Sequence, residues 1–128
     1  MAHTACKILG VAFLIAGLVG FVMPHFLGFH LTTIHNLVHL ATAAVALYLG
    51  FAGSLTNART FCLVFGAVYA LLGVLGFAMP ALVATILGHP GPVSSGDLLP
   101  DNLFHLVVGA VFVLAGLRTA PAVVARAA

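Results

Sequence analysis

Polar side chains in this chain come in short groups, separated by long apolar runs. Four such runs stand out, from about Lys7 to Phe26, Thr33 to Gly53, Thr60 to Met79 and Asp101 to Arg118. A helix needs about 20 mostly apolar residues to cross a hydrocarbon layer about 30 Å thick. Each run is long enough. Within lipid, backbone groups must find partners inside the span, which makes each run a helix. Composition agrees: 63% of the 128 residues are hydrophobic and only 5% are charged. Soluble domains carry roughly a quarter charged residues, so this chain could not cover a water-facing surface. Four Lys and Arg residues and a net charge of +2 provide no phosphate-binding stripe, which excludes a nucleic-acid partner.

The pattern repeats. A shift of 56 positions lays the first run on the third: Cys6 falls on Cys62, Gly10 on Gly66, Gly17 on Gly73, Gly20 on Gly76 and Pro24 on Pro80. A shift of 66 lays the second run on the fourth, with Asn36 on Asn102, His39 on His105 and Gly50 on Gly116. The difference implies an insertion of about ten residues, placed in the loop-forming stretch GHPGPVSSGD. The expected fold is therefore an all-α, four-helix transmembrane bundle made of two tandem helical hairpins. Repeat one covers about 4–53 and repeat two about 60–118. Each hairpin crosses twice, so the copies are parallel and related by a pseudo-twofold axis along the membrane normal. Lys7 before an apolar run has the look of a signal peptide, but the same run recurs mid-chain, which favours a span.

Positive charge sets the expected direction. Lys7 and Arg59 flank the starts of runs one and three, and Arg118 and Arg126 follow run four. The loops around 24–32 and 80–100 have no Lys or Arg. Both termini, the central loop and a tail at 119–128 are then cytoplasmic. Cys6 and Cys62 lie at the cytoplasmic ends of their helices, as reduced thiols that pack like small apolar groups.

The glycine spacing of Gly10, Gly17 and Gly20, followed by Asn36 and His39, returns as Gly66, Gly73, Gly76, Asn102 and His105. This pattern resembles the small four-helix bacterial membrane proteins grouped as domain of unknown function 4383. The resemblance covers nearly the whole chain. It implies a multi-pass protein of the bacterial cytoplasmic membrane and carries over no activity.

Residues three and four apart on a helix share a face. His35, Asn36 and His39 therefore point together, and Asp101, Asn102 and His105 do so in the second copy. Ionisable residues within spans are costly and usually face the interior, so the two groups are expected to converge. Three kinds of chemistry fit them. In the preferred one, Asn and His hydrogen-bond across helices and set the pairing of the hairpins, at about 0.6 kcal/mol per bond. Asp101 then caps the last helix after Pro100, and His35 meets interfacial water. In the second, His39 and His105 ligate a metal or a haem iron, since neutral imidazole binds zinc, copper and iron. Gly10 and Gly17 could make room for a flat macrocycle, or more simply allow close helix packing. A pigment could also take one His. In the third, His and Asp pass protons or a solute. Only Thr42, Tyr48 and Tyr69 continue polar character inward, which makes this the weakest of the three.

His25, His30 and His89 fall in the predicted outer loops, where Met23 and Met79 would add soft ligands for copper. A Met-Pro pair more often just ends a helix. His3 is terminal and expected to be disordered. The chain has no Ser/His/Asp triad, no Cys-x-x-Cys and no P-loop. The expectation is a small structural or accessory membrane protein and not an enzyme. Its partners are the bilayer and a larger membrane complex or a second copy, for which Ala41, Ala44 and Ala110 offer small-residue faces.

Overall fold

The computed structural model of the chain describes residues 1–120. Among them the backbone forms five α-helices: α1 Ala2–Val22, α2 Thr33–Phe51, α3 Leu55–Ala78, α4 Pro80–Ile86 and α5 Leu99–Leu117. All but α4 are long and apolar enough to cross a membrane, and this is a membrane protein. Large apolar side chains such as Ile15, Leu18 and Val22 on α1, Leu71 and Val74 on α3, and Val107 and Leu117 on α5 point outward. A helix that is apolar on its exposed side as well as its buried one is suited to lipid.

The boundaries differ from the expected ones for local reasons. The first helix stops at Val22, short of Phe26, because the residue before a proline is driven out of helical geometry. Met23 accordingly adopts φ −131° and ψ 77° ahead of Pro24. A short 3₁₀ turn, Phe26–Gly28, follows. Met79 before Pro80 takes nearly the same conformation, φ −140° and ψ 62°. There the chain resumes at once as α4, the unforeseen fifth helix, with Pro80 at its first position, where a missing N–H costs nothing. α3 starts at Leu55 and not Thr60 because the Ser54 hydroxyl accepts from the Asn57 amide at 3.1 Å. The inserted stretch between α4 and α5 is not helical. Asp97 organises it by accepting from the Ser94 amide and hydroxyl, each at 2.8 Å. Leu98 seals it against Val83 and Leu87.

α1 packs along α2, and α3 along α5. Glycines permit the close approach. A Cβ on Gly66 would lie 2.7 Å from the Val113 backbone nitrogen and 2.9 Å from the Gly109 carbonyl oxygen. Gly10 lies against Leu47, Gly17 against Leu40 and Gly73 against Leu106. Gly20 and Gly76 sit on the side chains of Asn36 and Asn102. The glycine grooves are thus filled by the neighbouring helix, and no space for a macrocycle remains along them.

The two pairs meet through α1–α3, α1–α5 and α2–α3 contacts. Phe13, Tyr69 and Phe112 form the centre, with Phe13 and Tyr69 ring centroids 5.1 Å apart. Nearer the terminal end, Cys6 and Cys62 are free thiols whose Sγ atoms stand 3.7 Å apart. The N-terminus is held. The Ala2 amide donates to Thr119 Oγ1 at 2.8 Å, Arg59 Nε donates to the Thr119 carbonyl at 3.0 Å, and His3 Nε2 bonds to the Gly53 carbonyl at 3.1 Å. His3 is therefore part of α1 and not a loose end, and Thr119 is buried rather than tail. The rest of the expected tail, residues 121–128 with Arg126, lies outside the described residues.

Candidate metal centre

At the opposite end, Thr32 starts α2. Its hydroxyl accepts from the His35 amide at 3.1 Å and donates to the Leu87 carbonyl. One helical face then carries His35, Asn36 and His39 inward, all of them buried. α5 begins at Leu99, with Pro100 in its first turn, and turns Asp101, Asn102 and His105 inward. The two groups converge. His35 and His39 ring centroids are 4.3 Å apart, and those of His35 and His105 are 5.7 Å apart. One nitrogen from each of His35, His39 and His105 lies within 4.8 Å of the others.

Two expected roles change. Asp101 does not cap α5. The helix starts two residues before it, and its carboxylate instead reaches back to the loop ahead of α2. There Oδ2 accepts from the His30 amide at 3.1 Å and lies 3.6 Å from His30 Nδ1. Oδ1 stands 3.9 Å from His35 Nδ1. His35 does not meet interfacial water. It is only 2% exposed, because the loop carrying His30 folds over it.

The hydrogen bonds assign the imidazoles. His35 Nδ1 lies 2.9 Å from the His30 carbonyl, which can only accept. Nδ1 is thus the protonated nitrogen, and in the neutral ring Nε2 carries the free lone pair. That Nε2 is buried without a hydrogen-bond partner, as are His39 Nδ1 and His105 Nδ1. Asn36 Nδ2 donates to the Leu31 carbonyl at 3.2 Å, and the Asn102 side-chain amide has no partner. Among the described residues, no hydrogen bond joins an Asn to a His across the helices. The polar groups thus come together without forming the inter-hairpin bonds that the preferred sequence reading invoked.

Three neutral imidazoles facing one point suit a transition-metal ion. In a tetrahedral site with metal–nitrogen bonds of about 2.0–2.1 Å, ligand nitrogens lie about 3.4 Å apart. The rings need to turn inward by about an ångström to reach that spacing. The bond from His35 Nδ1 to the His30 carbonyl is of the kind that orients metal-ligating histidines through their other ring nitrogen. Beside the three rings, a cavity of about 320 Å³ opens between α1 and α5. Its other walls are mostly apolar, with Ala12, Ile15, Ala16, Phe29 and Phe104 among them. On the inner side the Tyr69 ring lies 5.5 Å from that of His105, tilted by 46°, and its hydroxyl donates to Thr42 Oγ1 at 3.2 Å.

Sequence reasoning placed His30 among the outer-loop histidines but missed its contacts with Asp101 and His35. His30 lies five positions from His35, off the helical face, and 71 from Asp101, so no spacing rule connects them. It is also the middle member of a second histidine group. His25 and His89 each have their ring centroid 5.4 Å from that of His30. Partial burial, reinforced by His30, holds His89 below the usual imidazole range.

No curated protein and no solved structure matches the chain. The family model described as Domain of unknown function (DUF4383) matches residues 3–118, a stretch that takes in both inward-facing groups and every glycine in the helix contacts above, and the chain belongs to that family.

Proposed function

We propose that this chain holds a transition-metal ion of the zinc and copper class between its two helix pairs, with His35, His39 and His105 as ligands. One observation carries the reading: three buried imidazoles present nitrogens within 4.8 Å of one another, and each has a ring nitrogen without a partner. A buried polar group left unsatisfied costs about 1–3 kcal/mol, and an ion would offset that cost at all three. A simple ion suits the site better than haem, since the glycine grooves are filled by Leu40, Leu47 and Leu106. The remaining coordination position would face the apolar cavity. Apart from Asp101 and the three histidines the cavity walls are apolar, which favours a binding or accessory protein over an enzyme.

The same reading makes the chain a duplicated hairpin. Gly10 with Leu47, Gly17 with Leu40 and Gly20 with Asn36 in one pair correspond to Gly66 with Val113, Gly73 with Leu106 and Gly76 with Asn102 in the other. The ion would lie near the axis relating them. Lys7, Arg59 and Arg118 lie at the helix ends away from every histidine but His3, which supports cytoplasmic termini and a site toward the outer face of a bacterial cytoplasmic membrane. Exposed Ala41, Ala44 and Ala110 leave helix faces that suit a larger membrane assembly or a second copy.

The test is metal content. The detergent-purified protein, equilibrated with Zn²⁺ and desalted, should retain one ion per chain, and a His39→Ala/His105→Ala variant of unchanged helicity should lose it. A folded wild-type protein that retains no ion, or a double variant that keeps it, would defeat the reading.

A further inference from the structure

We propose that His25, His30 and His89 form an outer capture site for the same class of ion, and that His30 and Asp101 pass the ion to the core histidines. This inference rests on the core site proposed above. Apart from His3, every histidine of the chain lies at one end of the molecule, in two groups. The outer group comes from three separate segments. His25 follows the Pro24 break, His30 precedes α2, and His89 follows Gly88. Gly88 has φ +74°, a left-handed conformation that glycine adopts readily, and it turns the chain so that the His89 amide bonds back to the Ala84 carbonyl at 2.9 Å. This brings the His89 ring to 5.4 Å from that of His30, tilted by 51°, while His25 approaches the His30 ring edge-on.

These rings line a cavity of about 680 Å³, larger than the one beside the core site. Exposed Pro24, His25, Pro90 and Gly91 form its rim, so it opens to the surroundings. His30 Nδ1 and His89 Nε2 are buried and have no hydrogen-bond partner. The chemistry of this group is imidazole, which selects zinc, copper or cobalt over calcium and magnesium, whose ligands are oxygens.

The connection inward runs through one carboxylate. Asp101 Oδ2 is 3.6 Å from His30 Nδ1, and Asp101 lines the core cavity together with His35, His39 and His105. His35 Nδ1 keeps its proton against the His30 carbonyl, so the ion leaves the carboxylate for the unpartnered nitrogens of the core rings. Leu31 lines both cavities, so the partition between them is about one residue thick. A divalent cation entering low-dielectric surroundings needs a nearby negative charge, and Asp101 supplies it. The transfer is ligand exchange alone, with imidazole and carboxylate replacing one another on the ion and no electron moved.

Loading kinetics test this, with Co²⁺ as the probe because its visible bands report coordination by nitrogen. Mixed with Co²⁺, the full-length protein in detergent should develop the core spectrum quickly. A His25→Ala/His89→Ala variant should reach the same final core signal with a rate lower by about tenfold or more. Asp101→Asn, with the outer histidines intact, should slow loading similarly. A His39→Ala/His105→Ala variant should still bind Co²⁺ weakly at the outer group, and His25→Ala/His89→Ala added to it should abolish that binding. Wild-type loading rates in the His25/His89 variant would overturn the capture site and leave the core reading standing. Co²⁺ bound only at the outer group, with none at the core of the wild-type protein, would overturn the core reading instead and with it the transfer.

Discussion

Asn36 and Asn102 occupy matching positions but not matching circumstances. Asn36 is tied to the Leu31 carbonyl, whereas the buried Asn102 side-chain amide has no partner. Both press on a glycine, Gly20 and Gly76. Among the glycines, what a new Cβ would strike decides the damage. At Gly66 it would meet the backbone of Val113 and Gly109, which cannot turn aside; at Gly10 its nearest neighbours are side-chain atoms of Leu47, 2.9 Å away, which can. Gly66→Ala should therefore destabilise the protein by about 1–3 kcal/mol, and by more than Gly10→Ala, in unfolding titrations in detergent. Spacing alone made the glycines candidates. Which of them face backbone and which face side chains depends on the depth and crossing of the partner helix.

At the scale of elements, two caps of similar chemistry carry different loads. Ser54 starts α3 through one hydrogen bond to the Asn57 amide. Thr32 starts α2 through the His35 amide and also donates to the Leu87 carbonyl, joining the start of α2 to the end of α4. Ser54→Ala should cost about 1 kcal/mol. Thr32→Ala should cost more and also weaken metal retention, because it frees the turn that positions His35; Thr32→Ser should restore both. Thermal unfolding and Zn²⁺ content measured on the same samples check this. The α2 boundary was legible in the sequence because Thr32 precedes a long apolar run. The early start of α3 was hidden because Leu55 to Arg59 are less apolar than the run that follows. α4 was hidden because a proline reads equally well as a helix end and as a first helical residue.

For the whole molecule, the exposed apolar flanks and the gathering of Lys7, Arg59 and Arg118 at one end imply a defined orientation in the bilayer. The native Cys6 and Cys62 are both fully buried, so an introduced thiol should label without background. With Gly91→Cys, a membrane-impermeant maleimide should react in intact cells. With Thr56→Cys, in the first turn of α3, it should react only after permeabilisation. The reverse pattern would invert the orientation and place the histidine cavities on the cytoplasmic side.

Much was determined by the order of residues alone. Hydrophobicity and length set four helices across a bilayer, since water and lipid sort side chains without reference to any particular partner. The two shifts of 56 and 66 paired Asn36 with Asn102 and His39 with His105. The three-residue and four-residue spacings put each group on one face, a property of the single helix. Only the tertiary structure decided that His35, His39 and His105 meet with nitrogens unpartnered, that the asparagines turn to glycines instead of to the histidines, and that Asp101 reaches back to His30. Those outcomes depend on how two helix pairs sit against each other and how a loop folds over their end. Distances of a few ångströms between residues 66 to 71 positions apart are fixed by that packing, and no local pattern in the chain encodes them.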